Sequence, residues 1–509
     1  MKVLAIETSC DETAVAIVTE RDGRFDVEEH VVASQIAEHA KYGGVVPEVA
    51  ARLHVPTLPR IMKAITNWER GDIDAVAVTV GPGLSTALRV GVETAKALAV
   101  AWEVPLIPVD HIEGHIYANF LDVSVPSSLF PALCLVVSGG HTELVLMKGH
   151  GDYKLVGGTR DDAVGEAFDK TAAQLGLEYP GGPSVAKMAE HGDPTSIDLP
   201  RPMQHSKDFD FSFSGLKTAV RYEIQAHGEL DPTFVANISA SFQQAAIDSL
   251  ITKTKKAANK FAPSTIMLCG GVSANKELRR QLAETFADSS IDVIVPEMKY
   301  TTDNAAMIAA AGLQALKDGR VAKDIFEIDA DPSKQLGGKW KWEEQARNEP
   351  MDASANPAVG TPFCASAPVK SSSHTTSSVH EMYDVAASMV NELMDAHTIL
   401  LQGDLGSGKT TFVQGVAKAF GATRPVRSPT FTLVNEYPVT HERIDRIVHI
   451  DLYRLDDVDE NSARDLGLPV YLSDPRALVL IEWPERAKML IDGMTLRFKI
   501  EGKNHTVSK

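Results

Sequence analysis

Cysteine is scarce in this sequence, and its few copies are widely separated. The 509 residues contain four, Cys10, Cys134, Cys269 and Cys364, and none of them belongs to a Cys-x-x-Cys pair. This spacing argues against a thiolate zinc site or a disulfide framework and is typical of proteins of the reducing cytosol. Long apolar runs are also missing, because the longest, such as 305–313, reach about half the length of a membrane-spanning helix.

An excess of positive charge is lacking as well. The chain has 50 Lys and Arg against 68 Asp and Glu, a formal net charge of −18. Free-standing nucleic-acid-binding proteins usually have a basic balance, so contact with RNA would require a local basic patch or a basic partner subunit. Residues 1–7 have too short an apolar core for a secretory signal. With 44% apolar and 23% charged residues, the composition predicts a soluble, cytoplasmic, multidomain protein without membrane contact.

One segment differs in composition from its surroundings. Residues 349–378 are rich in Ala, Ser, Thr and Pro and have no apolar periodicity. Such a segment buries too little apolar surface to offset the entropy lost on ordering, so the sequence predicts a flexible linker. We place this linker at 341–379, between a large unit at 1–340 and a small unit at 380–509.

Two strand–turn–strand segments in the large unit resemble one another. The first spans 2–18 with a polar turn at 7–13, and the second spans 132–147 with a polar turn at 138–142. They predict either two related α/β lobes or two unrelated hairpins. A third polar turn, at 270–275, lies between a predicted strand at 265–269 and a predicted helix at 276–286. Backbone N–H groups in such turns can hold a phosphate or ribose, so three of them favour a nucleotide cleft.

A histidine pair in the large unit has the spacing of metal ligands. His111 and His115 are four residues apart, which on a helix places both imidazoles on one face. That spacing suits a shared ion but is also common in surface histidines, and a third ligand must come from elsewhere. In the zinc-protease motif His-Glu-x-x-His, the glutamate directly follows the first histidine. Here Glu113 is two residues after His111 and would point away from the ion, so a metalloprotease would lack its general base.

Nine motifs of the large unit, taken in order, closely resemble the TsaD family of tRNA threonylcarbamoyltransferases. They are IETSCDET (6–13), GPG (81–83), HIEGH (111–115), SGGHT (138–142), DDAVGEAFDK (161–170), YPGG (179–182), FDFSFSGLKT (209–218), GGVSAN (270–275) and TDNAAM (302–307). The resemblance covers nearly all of 1–340. It implies a two-lobed α/β fold of the actin and sugar-kinase (ASKHA) class. It also implies transfer of a threonylcarbamoyl group from threonylcarbamoyl-AMP to N6 of the adenosine at tRNA position 37.

The same resemblance implies roles for individual residues. One Fe or Zn ion would be held by His111, His115 and Asp303. Substrate would be contacted by the residues Val137, Ser138, Gly139, Gly140, His141, Asp169, Gly182 and Asn275. The base that accepts the amine proton is not evident; Asp11 and His141 are candidates, and Asp11 is equally compatible with a turn role. The family resemblance further implies a TsaB-type paralogue as dimer partner, with tRNA and threonylcarbamoyl-AMP as substrates.

The small unit contains a complete phosphate-binding loop. Residues 403–410 read Gly-x4-Gly-Lys-Thr, between a predicted strand at 399–402 and a predicted helix at 411–420. In such loops backbone N–H groups surround the phosphates, the lysine reaches the outer phosphates and the final hydroxyl binds Mg²⁺. Asp451 and Glu482 stand at the ends of two later predicted strands. Such acids either serve catalysis beside the loop or form ordinary salt bridges.

Four motifs of the small unit closely resemble the TsaE family of small ATPases. They are GDLGSGKTT (403–411), SPTF (428–431), HIDLYR (449–454) and IEWPE (481–485), within about 380–500. The resemblance implies a P-loop α/β domain in which Thr410 and Glu482 bind Mg²⁺ and Asp451 assists hydrolysis. It implies that ATP is held by Gly403, Asp404, Leu405, Gly406, Ser407, Gly408, Lys409, Thr410 and Thr411, with Trp483 nearby. The chain is therefore expected to be a transferase fused to an ATPase that supports turnover.

Three other hypotheses deserve comparison with this one. A metalloprotease is disfavoured by the position of Glu113. A non-catalytic scaffold beside an active ATPase is disfavoured because the HIEGH and TDNAAM residues are intact. A sugar kinase has no use for the histidine pair in phosphoryl transfer.

Overall fold

The computed structural model divides into two compact units. The large unit consists of Met1–Lys41 and Ala50–Trp342, and the small unit consists of Tyr42–Val49 and Glu343–Lys509. The residues described are 1–42, 44–65, 70–124, 128–332, 334–340, 373–376, 378–404, 406–422, 426, 434–453, 463, 468–487, 491, 493–501 and 504–508. Most of the predicted linker, 341–372, lies outside these residues.

The strands and helices before residue 341 include the few elements that the sequence predicts. The strands are β1 Lys2–Glu7, β2 Glu12–Arg21, β3 Arg24–Ser34, β4 Ala75–Gly81, β5 Leu106–Asp110, β6 Ala132–Val137, β7 Thr142–Gly149, β8 Asp152–Gly158, β9 Thr265–Cys269 and β10 Asp292–Ile294. The α-helices are α1 Ile36–His39, α2 Pro47–Met62, α3 Ser85–Trp102, α4 His111–Tyr117, α5 Val164–Gln174, α6 Gly181–Ala189, α7 Ser214–His227, α8 Pro232–Phe261, α9 Lys276–Phe286 and α10 Ala305–Lys317. The predicted strand at 265–269 and helix at 276–286 are confirmed at their bounds.

The first lobe of the large unit is built on a five-stranded sheet of order β3-β2-β1-β4-β5. The first three strands pair antiparallel, whereas β1, β4 and β5 are parallel. Successive side chains of β1 point to opposite faces of the sheet, as in any strand, and therefore pack into two different cores. Val3 and Ala5 pack with helix α10, while Leu4 and Ile6 pack with helix α3. The sheet is thus covered by helices on both faces.

The second lobe repeats this plan with the sheet β8-β7-β6-β9-β10. Again the first three strands form antiparallel pairs, and β6, β9 and β10 run parallel. Leu133 and Leu135 of β6 face helices α5 and α8, whereas Cys134 and Val136 join the core of the first lobe around α10. The matching strand order favours two related lobes over two unrelated hairpins, and it agrees with the two-lobed α/β prediction.

The small unit contains a seven-stranded sheet of order β11-β17-β16-β12-β15-β14-β13. Its strands are β11 Ser373–Thr376, β12 Thr398–Gly403, β13 Val434–Pro438, β14 Arg446–Asp451, β15 Ala477–Glu482, β16 Met494–Glu501 and β17 Asn504–Ser508. Its α-helices are α11 Val379–Ser388, α12 Val390–Ala396, α13 Lys409–Ala419 and α14 Leu468–Ser473. Strand β12 is parallel to β15 and β16 and leads directly into the predicted phosphate loop. No helix among the described parts of the two units is both long and apolar enough to cross a membrane.

The end of the predicted linker differs from the sequence expectation. Strand β11 pairs antiparallel with β17, and the Ser378 hydroxyl accepts the Glu381 N–H at the start of helix α11. Composition alone hid this strand, because Ser-His-Thr-Thr gains its backbone hydrogen bonds from a partner more than a hundred residues later in the chain. Residues 373–376 therefore belong to the sheet of the small unit, although the sequence analysis placed them in the linker.

Two glycines let the second-lobe turns approach one another. A Cβ at Gly165 would lie 2.6 Å from the Ser138 carbonyl oxygen, and one at Gly270 would lie 2.5 Å from the Val137 carbonyl oxygen. Gly270 also has φ +87°, a conformation that favours glycine. Helix α5 and the turn after β9 can therefore both pack against the turn after β6.

We expect Gly165→Ala to lower the free energy of unfolding of the large unit by about 1–3 kcal/mol, because the new methyl group must displace the backbone at Ser138. Denaturant unfolding of the variant and the wild type measures the change. Gly215→Ala is the matched control, because its Cβ would meet only Pro202 Cγ at 3.6 Å. Equal stability of Gly165→Ala and wild type would show that the turn adapts without cost.

Candidate functional site

The carboxyl ends of three parallel strands meet at one edge of the first-lobe sheet. Strands β1, β4 and β5 end at Glu7, Gly81 and Asp110, respectively. Parallel strands of this kind commonly place functional side chains at that edge. The residues that follow β5 are the predicted metal ligands.

Helix α4 begins immediately after β5. The Asp110 carboxylate caps it by accepting the N–H groups of Ile112 at 2.8 Å and Glu113 at 3.3 Å. The cap lets the chain turn from strand to helix within one residue. As predicted from their spacing, His111 and His115 lie on one face, with ring centroids 4.6 Å apart.

Asp303 joins the two histidines from another part of the chain. It precedes Asn304, whose side chain accepts the Met307 N–H and caps helix α10. The Asp303 Oδ1 atom lies 3.4 Å from His111 Nε2 and 3.2 Å from His115 Nε2. Within the described part of the chain, these three residues form the one group with metal-ligand geometry, their donor atoms lying within 4.8 Å of one another.

The chemistry of this cluster fits a divalent metal. His115 is fully buried, and its Nδ1 atom has no hydrogen-bond partner among the described residues. Burial lowers the pKa of His115, which favours the neutral imidazole that binds metals. Burial opposes ionisation of the Asp303 carboxyl, but the neighbouring His111 and His115 hold the pKa of this group well below its ordinary value. Two imidazoles and one carboxylate suit Fe or Zn.

Glu7 is a residue of this site to which sequence reasoning gave no role. Its Oε2 atom lies 3.2 Å from His111 Nδ1 and accepts the Thr79 hydroxyl at 2.5 Å. Its Oε1 atom accepts the Ser9 N–H at 2.5 Å, and the Ser9 hydroxyl lies 3.2 Å from His111 Nδ1. A carboxylate at Nδ1 fixes the orientation of a ligating imidazole and directs Nε2 toward the ion. The signal available in the sequence was an acid that ends a wholly apolar strand.

Glu113 points away from the histidines, as its spacing predicted. Its carboxylate accepts the Tyr153 hydroxyl at 2.9 Å and pairs with Arg320 at 3.2 Å. The residue is therefore committed to a buried polar cluster, and it is not available as the base of a metalloprotease.

The predicted substrate residues lie around the edge of the second-lobe sheet. Val137 ends β6, and the turn Ser138–His141 is closed by a hydrogen bond from Ser138 N to His141 O at 2.8 Å. Asp169 lies on helix α5 and accepts the Gly181 N–H at 2.7 Å, which places Gly182 beside it. Asn275 caps helix α9 by accepting the Leu278 N–H at 3.0 Å, so its position also has a structural cause.

The two candidate bases belong to different lobes. Asp11 lies beside Glu12 in the first-lobe turn, and His141 lies in the second-lobe turn. Sequence reasoning gave no role to Tyr179. Burial raises the pKa of its phenol, and the charges of Asp11 and Asp169 raise it further, so the phenol stays protonated.

The phosphate loop of the small unit is tightly built. Gly406 and Gly408 have φ +81° and +97°, conformations that favour glycine. The buried Lys409 ammonium donates to the carbonyl oxygens of Gly403 at 2.8 Å and Asp404 at 3.0 Å. It also lies 4.2 Å from the centroid of the Trp483 ring. Ser407 lies in the loop and Thr411 in the first turn of helix α13, whereas Leu405 lies outside the described residues.

Two acids stand next to this loop on neighbouring parallel strands. Asp451 and Glu482 are opposite each other at the ends of β14 and β15. The Thr410 hydroxyl donates to Glu482 Oε1 at 2.8 Å, so the two predicted Mg²⁺ ligands lie together. His449 Nε2 contacts the same Glu482 oxygen at 2.9 Å and is a further residue to which the sequence analysis assigned no function. The SPTF segment (428–431) and Arg454 lie outside the described residues.

We expect Glu7→Gln to weaken binding of Zn²⁺ or Fe²⁺ at the histidine pair by about 10–100-fold, because the His111 imidazole loses its anionic partner. Competition with a chromophoric chelator measures the affinity. Glu113→Gln is the matched control, since that buried acid faces away from the ligands, and its affinity should equal that of the wild type. An unchanged affinity for Glu7→Gln would remove Glu7 from the site.

Comparison with known proteins agrees with both resemblances. A family model described as "TsaD: tRNA N6-adenosine threonylcarbamoyltransferase" matches residues 26–310, and one described as "TsaE: Threonylcarbamoyl adenosine biosynthesis protein TsaE" matches residues 376–509. The tRNA N6-adenosine threonylcarbamoyltransferase of Bacillus cereus is 50% identical over 338 residues, which cover 65% of this chain and 95% of that protein. The Bacillus subtilis protein of the same name is 48% identical over 344 residues, covering 66% and 96%.

One solved structure is similar to part of this chain. The crystal structure of YdiB from Bacillus subtilis is 26% identical to this chain, covers 28% of it and 86% of its own length, and has a TM-score of 0.21. A score this low carries no argument about the fold, so the assignment depends on the family models and on the identity to the curated relatives. The chain belongs to the TsaD family of tRNA N6-adenosine threonylcarbamoyltransferases and carries a TsaE domain on the same polypeptide.

Proposed function

We propose that this protein transfers a threonylcarbamoyl group from threonylcarbamoyl-AMP to N6 of the adenosine at tRNA position 37. The observation that carries the proposal is the group of two buried histidines, His111 and His115, with Asp303, in the same unit as the three polar turns. Its relatives at about 50% identity are named for this transfer, and the motifs of that family are intact here. The protease alternative lacks support, since Glu113 is engaged with Tyr153 and Arg320.

The metal ion of the proposed transferase is Fe or Zn, held by the two histidines and Asp303. When bound, such an ion supplies Lewis-acid polarisation of carbonyl or phosphate oxygens and orients the substrate. Glu7 fixes the direction of the His111 ring through Nδ1. Asp303 stays ionised next to the two imidazoles, because these hold the pKa of its carboxyl well below the ordinary value.

The remaining chemistry depends on the turns of both lobes. An exocyclic amine is a poor nucleophile, so a group of the protein must accept its proton as the new C–N bond forms and AMP leaves. Asp11 and His141 are the proposed candidates for this base. The turn Val137–His141, together with Asp169, Gly182 and Asn275, is proposed to hold the donor, since backbone N–H groups of glycine turns can accept developing negative charge.

The small unit is proposed to hydrolyse ATP and to support repeated turnover of the transferase. Gly403 to Thr411 would hold the nucleotide near Trp483, and Thr410 with Glu482 would bind Mg²⁺. The 2.8 Å contact between those two side chains supports this assignment. Asp451, opposite Glu482 on the next strand, would orient the attacking water.

The family resemblance also leads us to propose a TsaB-type paralogue as dimer partner and a cytoplasmic location. The proposed location agrees with the cysteines, which are all unpaired among the described residues, as is usual in a reducing compartment. The donor is expected to come from a separate enzyme that makes threonylcarbamoyl-AMP.

We expect His111→Ala/His115→Ala to abolish formation of the modified nucleoside while ATP hydrolysis continues at the wild-type rate. The two activities should separate because the sites belong to different compact units. Mass spectrometry of nucleosides from tRNA incubated with threonylcarbamoyl-AMP and the partner measures the first activity, and phosphate release measures the second. His191→Ala, at an exposed position, is the matched control. Wild-type modification by the double variant would refute the metal assignment.

We expect Lys409→Ala to lose ATP hydrolysis but to retain about one round of transfer per enzyme. Removing the ammonium group takes away charge stabilisation on the outer phosphates, which matters most in the transition state. Single-turnover and multiple-turnover transfer should be measured side by side, with Lys418→Ala on the same helix as control. Equal loss in both regimes would mean that ATP hydrolysis belongs to the chemical step.

A further inference from the structure

Lysines gather on one surface of the second lobe, although the whole chain has a net charge of −18. Lys255, Lys256 and Lys260 lie in the C-terminal half of helix α8, and Lys207 lies in the loop between helices α6 and α7. We call these four residues the basic face. On α8, Lys255 and Lys260 are exposed and Lys256 is half-buried, whereas Leu250, Lys253, Thr254, Ala257 and Ala258 are buried.

The loop and the helix are held together by specific contacts. The Lys256 ammonium donates to the Ser206 carbonyl oxygen at 2.6 Å, so residue 207 is next to the helix. The ammonium groups of Lys256 and Lys260 lie 5.6 and 5.2 Å from the centroid of the Phe209 ring. Lys256 and Lys260 therefore lie against this loop, and Lys207, Lys255 and Lys260 are exposed.

The charge of the basic face is not neutralised locally. None of its four lysines forms an ion pair with the residues that the structure describes. The acids in this region, Asp208 and Asp210, are engaged by Arg160, and Asp208 also by the buried Lys253. Arg160 and Lys253 are thus the partners of these two carboxylates, and the four lysines of the basic face keep their charge.

The basic face is also connected to the turn proposed to hold the donor. Arg160 donates its N–H to the Phe211 carbonyl oxygen at 3.0 Å. Its neighbour Thr159 donates its N–H to the Thr142 carbonyl oxygen at 2.9 Å, and Thr142 directly follows His141. A polyanion lying on the basic face would therefore extend along the same lobe toward that turn.

We propose that the basic face binds the phosphate backbone of the tRNA substrate. The inference rests on the proposed function and adds to it a surface for the substrate. Lysines with no partner carboxylate can contact phosphates regardless of the RNA sequence. Such contacts release counterions from the RNA, so the binding affinity decreases as the salt concentration rises. Such contacts position the RNA, and recognition of the adenosine is left to the site itself.

The test uses the full chain and unmodified tRNA, with filter binding measured across a salt series. We expect Lys207→Ala/Lys260→Ala to weaken tRNA binding about tenfold or more near 0.15 M salt and to reduce the slope of log affinity against log salt by about two. The variant Lys63→Ala/Lys323→Ala removes the same charge from exposed positions outside the basic face and should bind as the wild type does. In the transfer assay, KM for tRNA should rise while kcat stays unchanged.

Three outcomes would overturn the proposal. The first is equal affinity and salt slope for the basic-face variant and the wild type, and the second is an equal loss in the control variant. The third is unchanged tRNA binding together with weakened association of an acidic protein partner, which would identify the face as a protein-docking surface. Failure of the proposed function is a separate result, since wild-type protein would then give no modified nucleoside however tightly it binds tRNA.

Discussion

Ionisable side chains buried at one sheet edge are the constraint on which the arrangement of the first lobe depends. Glu7 is fully buried, and burying a charged group is costly unless it is paired and hydrogen-bonded. The Thr79 hydroxyl, the Ser9 N–H and the His111 ring supply those partners. These partners lie in the turn after β1, in β4 and in α4. Because the buried carboxylate needs all of them, it favours the arrangement in which these three segments meet.

Small residues make this convergence sterically feasible. A Cβ at Gly114 would lie 2.6 Å from Ile308 Cδ1, and one at Gly312 would lie 2.7 Å from Ala77 Cβ. Helix α10 can therefore pack closely against both α4 and the sheet, and its N-terminal neighbour Asp303 reaches the two histidines. In the other two sheets, too, the side chains that we propose as functional follow the carboxyl ends of parallel strands. In the second lobe these strands lead into glycine turns, and in the small unit one of them leads into the phosphate loop.

Much of this architecture could be predicted from the sequence, for physical reasons that apply to particular elements. Strands β6 and β9 are continuous apolar runs with polar turns after them, and the phosphate loop has a fixed spacing. Local patterns could not reveal β11, whose hydrogen bonds come from β17, nor the contacts of Glu7 and His449. Those contacts depend on which segments meet in space. Family resemblance supplied Asp303 as the proposed third ligand, which spacing alone could not provide.

The net charge of the chain and its proposed RNA contact are compatible because the two act over different distances. At physiological ionic strength, charges farther apart than about 8 Å are largely screened from one another. Lys255, Lys256 and Lys260 lie within about 8 Å of one another along the axis of helix α8. A phosphate bound there would therefore interact more strongly with these lysines than with distant carboxylates. The overall negative charge then acts mainly on the long-range approach, where it slows association. Affinity depends on the local surface, and total composition is a poor guide to it.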